Sequence, residues 1–293
     1  MKRQNNIINL SIVIVNFNTK ELVLACIRSL FVSIGQNTGW ELIVVDNGSS
    51  DGSQEEVKSQ KSKVKSFTLI ENKKNVGFAA ANNQGIRASC GRYVLLLNSD
   101  TEVAPGVLSQ LTRYMDEHGD VGAITARINL SDGSLDPACH RGFPTPWAAF
   151  TYFLGLEKLF PASRIFGQYH QGYKPVSRIH DVDCISGAFF LVRRSVIDAV
   201  GLLDENFFMY GEDIDWCYRI REKGCRIVFY PEISILHKKH QSGLAHHDNQ
   251  TRMQTKTYFY DAMKLFYAKH FRRRYGIWTS SIVLLGIKLR SLL

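Results

Sequence analysis

The chain has 293 residues, 45% of them hydrophobic and 22% charged, with a net charge of +9. That composition is ordinary for a globular protein and excludes collagen, intrinsic disorder and a polytopic membrane protein. Seven of the 36 basic residues and none of the 27 acidic ones fall in residues 262–293, which leaves the preceding 261 residues at only +2. A body so nearly neutral argues against a nucleic-acid partner, which would need basic charge across a face of the fold.

Met1-Lys2-Arg3 is followed by an apolar stretch broken at Asn9 and without a small-residue cleavage site, so a strand is expected there and not a signal peptide. Leu10–Val15 is a short, β-branched apolar run of the kind that forms a strand buried on both faces. Similar runs recur at Leu42–Val45, Phe67–Ile70 and Tyr93–Leu97. Helix-like stretches separate them at Lys20–Phe31, Ser53–Ser59 and Phe78–Ala88. Strand alternating with helix implies an α/β fold with a mostly parallel sheet. A helix from Pro105 and a strand over Gly122–Ile128 continue the pattern.

Residues 129–180 break the rhythm with aromatics, Gly and Pro and no clean period. A loop region this long and this aromatic is expected to face a substrate. Regular structure is expected again at Asp183–Val192 (strand), Ser195–Val200 (helix), Asp213–Lys223 (helix) and Arg226–Tyr230 (strand), then as helix from Thr255 onward. The organisation expected is one large domain over 1–240 and a basic, apolar helical extension over 241–293. The six cysteines are dispersed, with no C-x-x-C pair, and are expected as reduced thiols.

In an open parallel sheet, ligands bind beyond the carboxyl ends of the strands. Here those ends read Asn16-Phe17-Asn18, Asp46-Asn47-Gly48-Ser49-Ser50-Asp51-Gly52 and Asn98-Ser99-Asp100. Three strands therefore bring amides and carboxylates to one edge. No G-x-G-x-x-G follows the first strand and no G-x-x-x-x-G-K-[ST] occurs, which excludes a dinucleotide fingerprint and a P-loop. The Gly-rich, Arg-containing loop of a sugar-phosphate nucleotidyltransferase is also missing.

A carboxylate at Asp100 suits a divalent cation whose other positions are filled by water and phosphate oxygens. His237, after Ile233–Leu236, is a candidate ligand for the same cation. His240, His246 and His247 follow, but no spacing matches a zinc template. Glu212, Asp213 and Asp215 open a helix, where the macrodipole favours negative charge. The aromatic run Phe207-Phe208-Met209-Tyr210 before them would give one carboxylate an apolar wall suited to base chemistry.

Taken together, V-I-V-N-F-N, V-V-D-N-G-S-S-D-G-S, N-V-G-F-A-A-A-N-N-Q-G-I, L-L-L-N-S-D-T, I-S-G-A-F-F-L-V-R-R, F-F-M-Y-G-E-D-I-D-W-C-Y-R and I-L-H stand in an order that resembles the family 2 inverting glycosyltransferases. The resemblance is to the bacterial rhamnosyltransferase-like branch and covers roughly residues 8–240. It implies a GT-A fold, with a Rossmann-like, mostly parallel sheet flanked by helices.

By that resemblance Asn16 and Asp46 would hold the nucleobase and ribose, and Gly77 and Asn82 would line the donor pocket. Asn98-Ser99-Asp100 would stand where the family has its D-x-D element, with Asn98 and Ser99 on the donor side and Asp100 and His237 binding Mg²⁺ or Mn²⁺. Asp213 would be the catalytic base. Asn98 in place of the first Asp leaves the cation one carboxylate fewer. The Q-x-x-R-W element of processive relatives is missing, so transfer of a single sugar is implied. The implied donor is a nucleotide-sugar, dTDP-rhamnose ahead of UDP-galactose, UDP-glucose or UDP-N-acetylglucosamine. The implied acceptor is a saccharide or a lipid-linked saccharide. A catalytically dead relative would be expected to lack Asp213 or Asp100, and both are present.

On a helix, Trp278, Ile282, Leu285, Leu289 and Leu292 fall on one face beside basic residues. Such a helix suits an anionic membrane surface and a peripheral position on its cytoplasmic face. The alternative is packing on the catalytic domain or on a second copy of the chain, giving a homo-oligomer.

Overall fold

The computed structural model describes residues 8–34, 39–239 and 249–292. His240, His246, His247 and the expected domain boundary at 240/241 lie outside the described residues. So do Met1, Lys2 and Arg3.

The elements in the first half are β1 (Leu10–Asn16), α1 (Lys20–Ile34), β2 (Trp40–Asp46), α2 (Ser53–Ser59), β3 (Phe67–Glu71), α3 (Phe78–Ala88), β4 (Tyr93–Asn98), β5 (Thr101–Val103), α4 (Val107–Glu117) and β6 (Val121–Leu130). Then come α5 (Pro146–Phe153), α6 (Leu156–Leu159), β7 (His180–Asp181), β8 (Phe189–Arg193), α7 (Arg194–Val200), α8 (Glu212–Glu222), β9 (Arg226–His237), α9 (Asn249–Phe266) and α10 (Ile277–Leu292).

Among the described residues the strands form one sheet in the order β3-β2-β1-β4-β8-β6-β9-β5, with β7 on β9. The first four are parallel neighbours. The continuous apolar runs of β1, β2 and β4 are buried on both faces, as parallel strands between helix layers must be. Beyond β4 the sheet is mixed: β8 is antiparallel to both β4 and β6, and β5 is antiparallel to β9. The architecture is therefore a mixed α/β sheet whose parallel half carries the first three polar strand ends.

Two strands differ from expectation. β8 starts at Phe189, because the preceding Cys184 is held in a bridge to Arg141 and the Ser186-Gly187 turn faces the cavity described below. β9 runs through Pro231 to His237; its register on β6 shifts between Tyr230 and Ser234, a bulge that accommodates the proline. The longer strand carries His237 level with Thr101 and next to Asp100.

Residues 129–180 contain a helix, α5, that has no sequence period because its apolar residues lie all round. The Thr145 side chain accepts from the Ala148 N–H at 3.2 Å, and Pro146 stands in the first turn, so the start is capped locally. The C-terminal stretch is not one helix. A π turn at Tyr267–Phe271 and the residues up to Gly276 separate α9 from α10. Phe207, Ala262, Phe266, Tyr267 and Phe271 form a second apolar core, so α9 and the π turn are packed against the loop before α8. No described helix is long and apolar enough to cross a membrane. All six cysteines are free thiols; Cys26, Cys139, Cys184 and Cys217 are buried and Cys90 is exposed.

Candidate active site

The strand ends meet at a cavity of about 1730 Å³. Its floor includes Asn18, Asn47, Asn98, Ser99 and Asp100, and its walls include Phe78, Arg141, Gly187, Asp213 and His237.

Asn16 and Asp46 sit one layer behind this floor. Both are fully buried, and the Asn16 amide donates to Asp46 Oδ2 at 2.9 Å. Asp46 Oδ1 accepts from the Ser49 N–H and the Gln54 amide. Thr19 donates to Asn16 Oδ1 at 2.7 Å and lies 2.9 Å from the Ser99 hydroxyl. Asn16 and Asp46 thus fix the loops that carry Asn18 and Ser99 to the cavity. Asn82 is also buried, with its amide spent on the Phe78 carbonyl one turn earlier at 2.9 Å, and it does not line the cavity.

Gly77 has φ 94°, a conformation that glycine adopts readily, and a Cβ there would stand 2.9 Å from Phe208 atoms. The bare backbone lets the Phe78 N–H donate to the Phe208 carbonyl at 2.7 Å. This closes the loop before α8 against α3, so the role of Gly77 is a close approach.

Asp100 and His237 are brought together as expected from their strand ends, with His237 Nε2 3.2 Å from Asp100 Oδ1. The structure adds Asp136. This fully buried carboxylate bonds His237 Nδ1 at 2.9 Å and accepts from Lys239 at 3.1 Å. Burial opposes charge on His237, but the hydrogen bonds to Asp100 and Asp136 outweigh it and raise its pKa to about 9. Burial also works against ionised Asp136, yet His237 and Lys239 hold it well below the usual carboxylate range.

Among the described residues no group of three or more His, Cys, Asp or Glu is placed to hold a metal ion. A cation here would rest on Asp100 and His237, with the remaining positions open to water and phosphate oxygens. The donor chemistry fits. Asp136 can take the Nδ1–H, which leaves the Nε2 lone pair for a ligand bond, a common outer-shell arrangement for metal-bound histidine. Asn98 Oδ1 is a buried oxygen with no hydrogen-bond partner, and Asn98 lines the cavity next to Asp100.

The three acids that open α8 have separate fates. Asp215 is fully buried and bonds Arg219, His270 and Lys269 at 2.8, 2.7 and 2.6 Å. Burial opposes its charge, but His270, Lys269 and Arg219 lower its pKa to about 2. It ties α8 to the C-terminal segment. Glu212 is buried and its Oε2 has no hydrogen-bond partner. Burial, then the nearby Asp213 charge, raises its pKa to about 8, so it keeps its proton at neutral pH.

Asp213 lines the cavity as a partly exposed carboxylate. Its Oδ2 accepts from Arg141 at 3.1 Å and from the Gly187 N–H at 3.2 Å, and its Oδ1 accepts from the Ile214 N–H at 2.8 Å. Arg141 is the second site residue that no sequence motif revealed. Both Arg141 and Asp136 come from the irregular stretch 129–180. The only local signal was Asp136-Pro137, an Asp capping a turn with proline first, and the Asp136 side chain does accept from the Ala138 N–H at 3.0 Å.

The arrangement is a polar, cation-compatible floor sharing one cavity with a hydrogen-bonded carboxylate. Comparison with known proteins gives it a family context. Residues 11–201 match the family model described as glycosyl transferase family 2. The N-acetylglucosaminyl-diphospho-decaprenol L-rhamnosyltransferase of Mycobacterium tuberculosis is 29% identical over 216 residues, covering 69% of this chain and 68% of that protein. The rhamnosyltransferase WbbL of Escherichia coli is 40% identical over 184 residues, 60% of this chain and 63% of that protein. Among solved structures, the mannosyltransferase PcManGT of Pyrobaculum calidifontis, in complex with GDP-Man and Mn²⁺, superposes with a TM-score of 0.60 at 14% identity. That match covers 97% of this chain and 75% of the other, and it shows a shared fold.

Proposed function

The chain belongs to glycosyl transferase family 2, and from that premise we propose that it is an inverting, non-processive enzyme of cell-surface polysaccharide assembly. It moves one sugar from a nucleotide-sugar, dTDP-rhamnose by preference, to a saccharide or lipid-linked acceptor. The choice of rhamnose is supported by the names of two relatives, and the choice of nucleotide-sugar by the family and by the polar floor at the strand ends.

The observation that carries the reading is Asp213. Of the three acids opening α8 it alone is both partly exposed and on the cavity: Asp215 is buried among its own partners, and Glu212 is buried and keeps its proton. Asp213 accepts the proton of an acceptor hydroxyl. The hydroxyl oxygen bonds to the anomeric carbon as the bond to the diphosphate breaks on the opposite face, which inverts the configuration. Arg141 and the Gly187 N–H hold Asp213 in one orientation throughout. Asp100 and His237 would hold Mg²⁺ or Mn²⁺, which offsets negative charge on the diphosphate when bound. Asn98, Ser99 and the loops fixed by Asn16 and Asp46 position the donor.

The test is the anomeric configuration of the product, followed by NMR during transfer. Inversion is expected, and a retained anomer would overturn the mechanism. Transfer should stop with a chelator and resume with Mg²⁺ or Mn²⁺.

We also propose that the chain sits peripherally on the cytoplasmic face of an anionic membrane through α10. The face with Trp278, Ile282, Leu285, Leu289 and Leu292 supports this: each is more than half exposed, so packing on the domain does not account for it. A second copy of the chain is the competing occupant of that face. Co-sedimentation with anionic vesicles, wild type against Trp278→Ser/Leu285→Ser/Leu289→Ser, separates the two. Equal vesicle binding by both forms, or none by either, removes α10 from the membrane account.

A further inference from the structure

The cavity does not end at Asp213. Pockets that enclose one small ligand measure about 300–1,000 Å³, and this one is about 1730 Å³. Beyond the polar floor it continues as a corridor between α5 on one side and α9 and α10 on the other. Phe150, Phe153, Met263, Ile282, Val283 and Ile287 line that part. At its outer end the Arg290 guanidinium donates to the Phe153 carbonyl at 3.2 Å and lies 5.0 Å from its ring centre.

Apolar side chains also crowd the outside of this mouth. Trp147, Phe150 and Leu154 are exposed on the α5 side, and Trp278, Ile282, Leu285 and Leu289 on α10. Exposed apolar surface on this scale marks an interaction site. Lys288 and Arg290 are exposed on the same helix.

We propose that the corridor between α5 and α10 is a subsite for the hydrocarbon chain of an acceptor whose sugar is carried on a long-chain lipid through phosphate. The proposal rests on the transferase reading and names its acceptor class. Three observations select this occupant. The corridor is continuous with the cavity that holds Asp213, so a chain in it leads to the reacting hydroxyl. Its walls are aliphatic and aromatic, which a free sugar cannot use but a hydrocarbon chain can. Its mouth opens between an apolar rim and the Arg290 guanidinium, matching the boundary between acyl chains and anionic headgroups from which such a lipid would enter.

Gly286 supplies a clean test. It lines the corridor, and a Cβ there would meet nothing within 4 Å. It lies inside α10, where other side chains favour the helix more than glycine does. Gly286→Leu should therefore fold and place its side chain in the corridor. The full chain is titrated with farnesyl phosphate, isopentenyl phosphate, inorganic phosphate and dTDP, with farnesyl phosphate kept below its micelle concentration. Wild type is expected to bind farnesyl phosphate at least about tenfold more tightly than isopentenyl phosphate, since only a fraction of the added chain need be buried to give that gain. Gly286→Leu is expected to lose that preference and to bind dTDP as wild type does. Equal affinity for the two prenyl phosphates in wild type, or the preference surviving in Gly286→Leu, overturns the proposal. Vesicle binding alongside either of those results leaves the apolar rim as a membrane contact with no chain in the corridor. Failure of wild type to bind dTDP falls instead on the donor reading, because the prenyl titrations are read independently.

Discussion

Asp213→Asn keeps the size of the side chain and removes its capacity to take a proton. The surrounding bonds fix what else it costs. Oδ2 serves Arg141 and Gly187, while Oδ1 serves the Ile214 N–H. An amide can offer its oxygen to one side only. Keeping the Arg141 side turns Nδ2 toward the Ile214 N–H and loses a hydrogen bond worth about 1 kcal/mol. The change also leaves the Arg141 side chain, 12% exposed, without its counter-charge. Breaking such a pair costs about 3 kcal/mol when it is largely buried. The sum, about 4 kcal/mol, corresponds to a fall in Tm of about 6 °C for a chain of this size. Chemistry should suffer far more: transfer is expected to drop about 10²–10⁴-fold. The assay is transfer measured well below the variant's Tm, with nucleotide binding followed by calorimetry on the same sample. Nucleotide affinity is expected to persist, since the donor floor is built from other strands. Transfer within about tenfold of wild type, with normal nucleotide binding, would refute the assignment of the base. Glu212 would then be the next acid to substitute, because Asp215 is consumed by Arg219, Lys269 and His270.

Asp136→Asn should weaken Mg²⁺ or Mn²⁺ binding about 10–100-fold, the usual worth of a partner orienting a metal-bound histidine. Metal titration of activity should show the loss recovered at high metal, and full wild-type activity in excess EDTA would remove the cation altogether. Glu212 gives a pH prediction. Its folded pKa of about 8 lies above its ordinary value of 4.5, so its contribution to stability is complete below pH 4.5 and is lost as pH rises through 8. Between those values the stability of wild type should fall relative to Glu212→Gln by at most about 1.4 kcal/mol per pH unit. Parallel melting curves for the two proteins would exclude a buried, protonated Glu212. Gly77→Ala forces a Cβ within 2.9 Å of Phe208 at a positive φ, and should cost about 1–3 kcal/mol while loosening the loop before α8. A melt indistinguishable from wild type would show that the close approach is dispensable.

The parallel half of the sheet was readable because strands buried on both faces must be apolar throughout, and β1, β2 and β4 are. Their polar ends were readable for the complementary reason: amides and carboxylates after a buried run have a site to serve. The same reasoning pointed to Asp100 and His237, while Asp213 came from the aromatic run before a helix and from the family resemblance; all three line one cavity. It placed Asn16 and Asp46 on the right strands without showing that their side chains are spent on fixing loops, since a motif records position and not depth. The strand was expected to end at Tyr230, but a bulge around Pro231 carries it on to His237. α5 was invisible because a helix apolar all round has no amphipathic period. Arg141 was invisible because long-range pairing with Asp213 leaves no local pattern, and the turn cap at Asp136-Pro137 says nothing of the pairing of Asp136 with His237. The extension was read as one helix, since only packing against Phe207 shows where the chain must turn at Tyr267–Phe271.

The central claim is sugar transfer from a nucleotide donor at the Asp100–His237–Asp213 cavity. It is tested most directly by incubating the full chain with dTDP-rhamnose, UDP-galactose, UDP-glucose, UDP-N-acetylglucosamine and GDP-mannose, each with Mg²⁺ or Mn²⁺, and measuring released nucleoside diphosphate. The account predicts metal-dependent release from dTDP-rhamnose ahead of the others, abolished by Asp100→Ala. Release from none of the five donors, or release unaffected by EDTA and by Asp100→Ala, would contradict it.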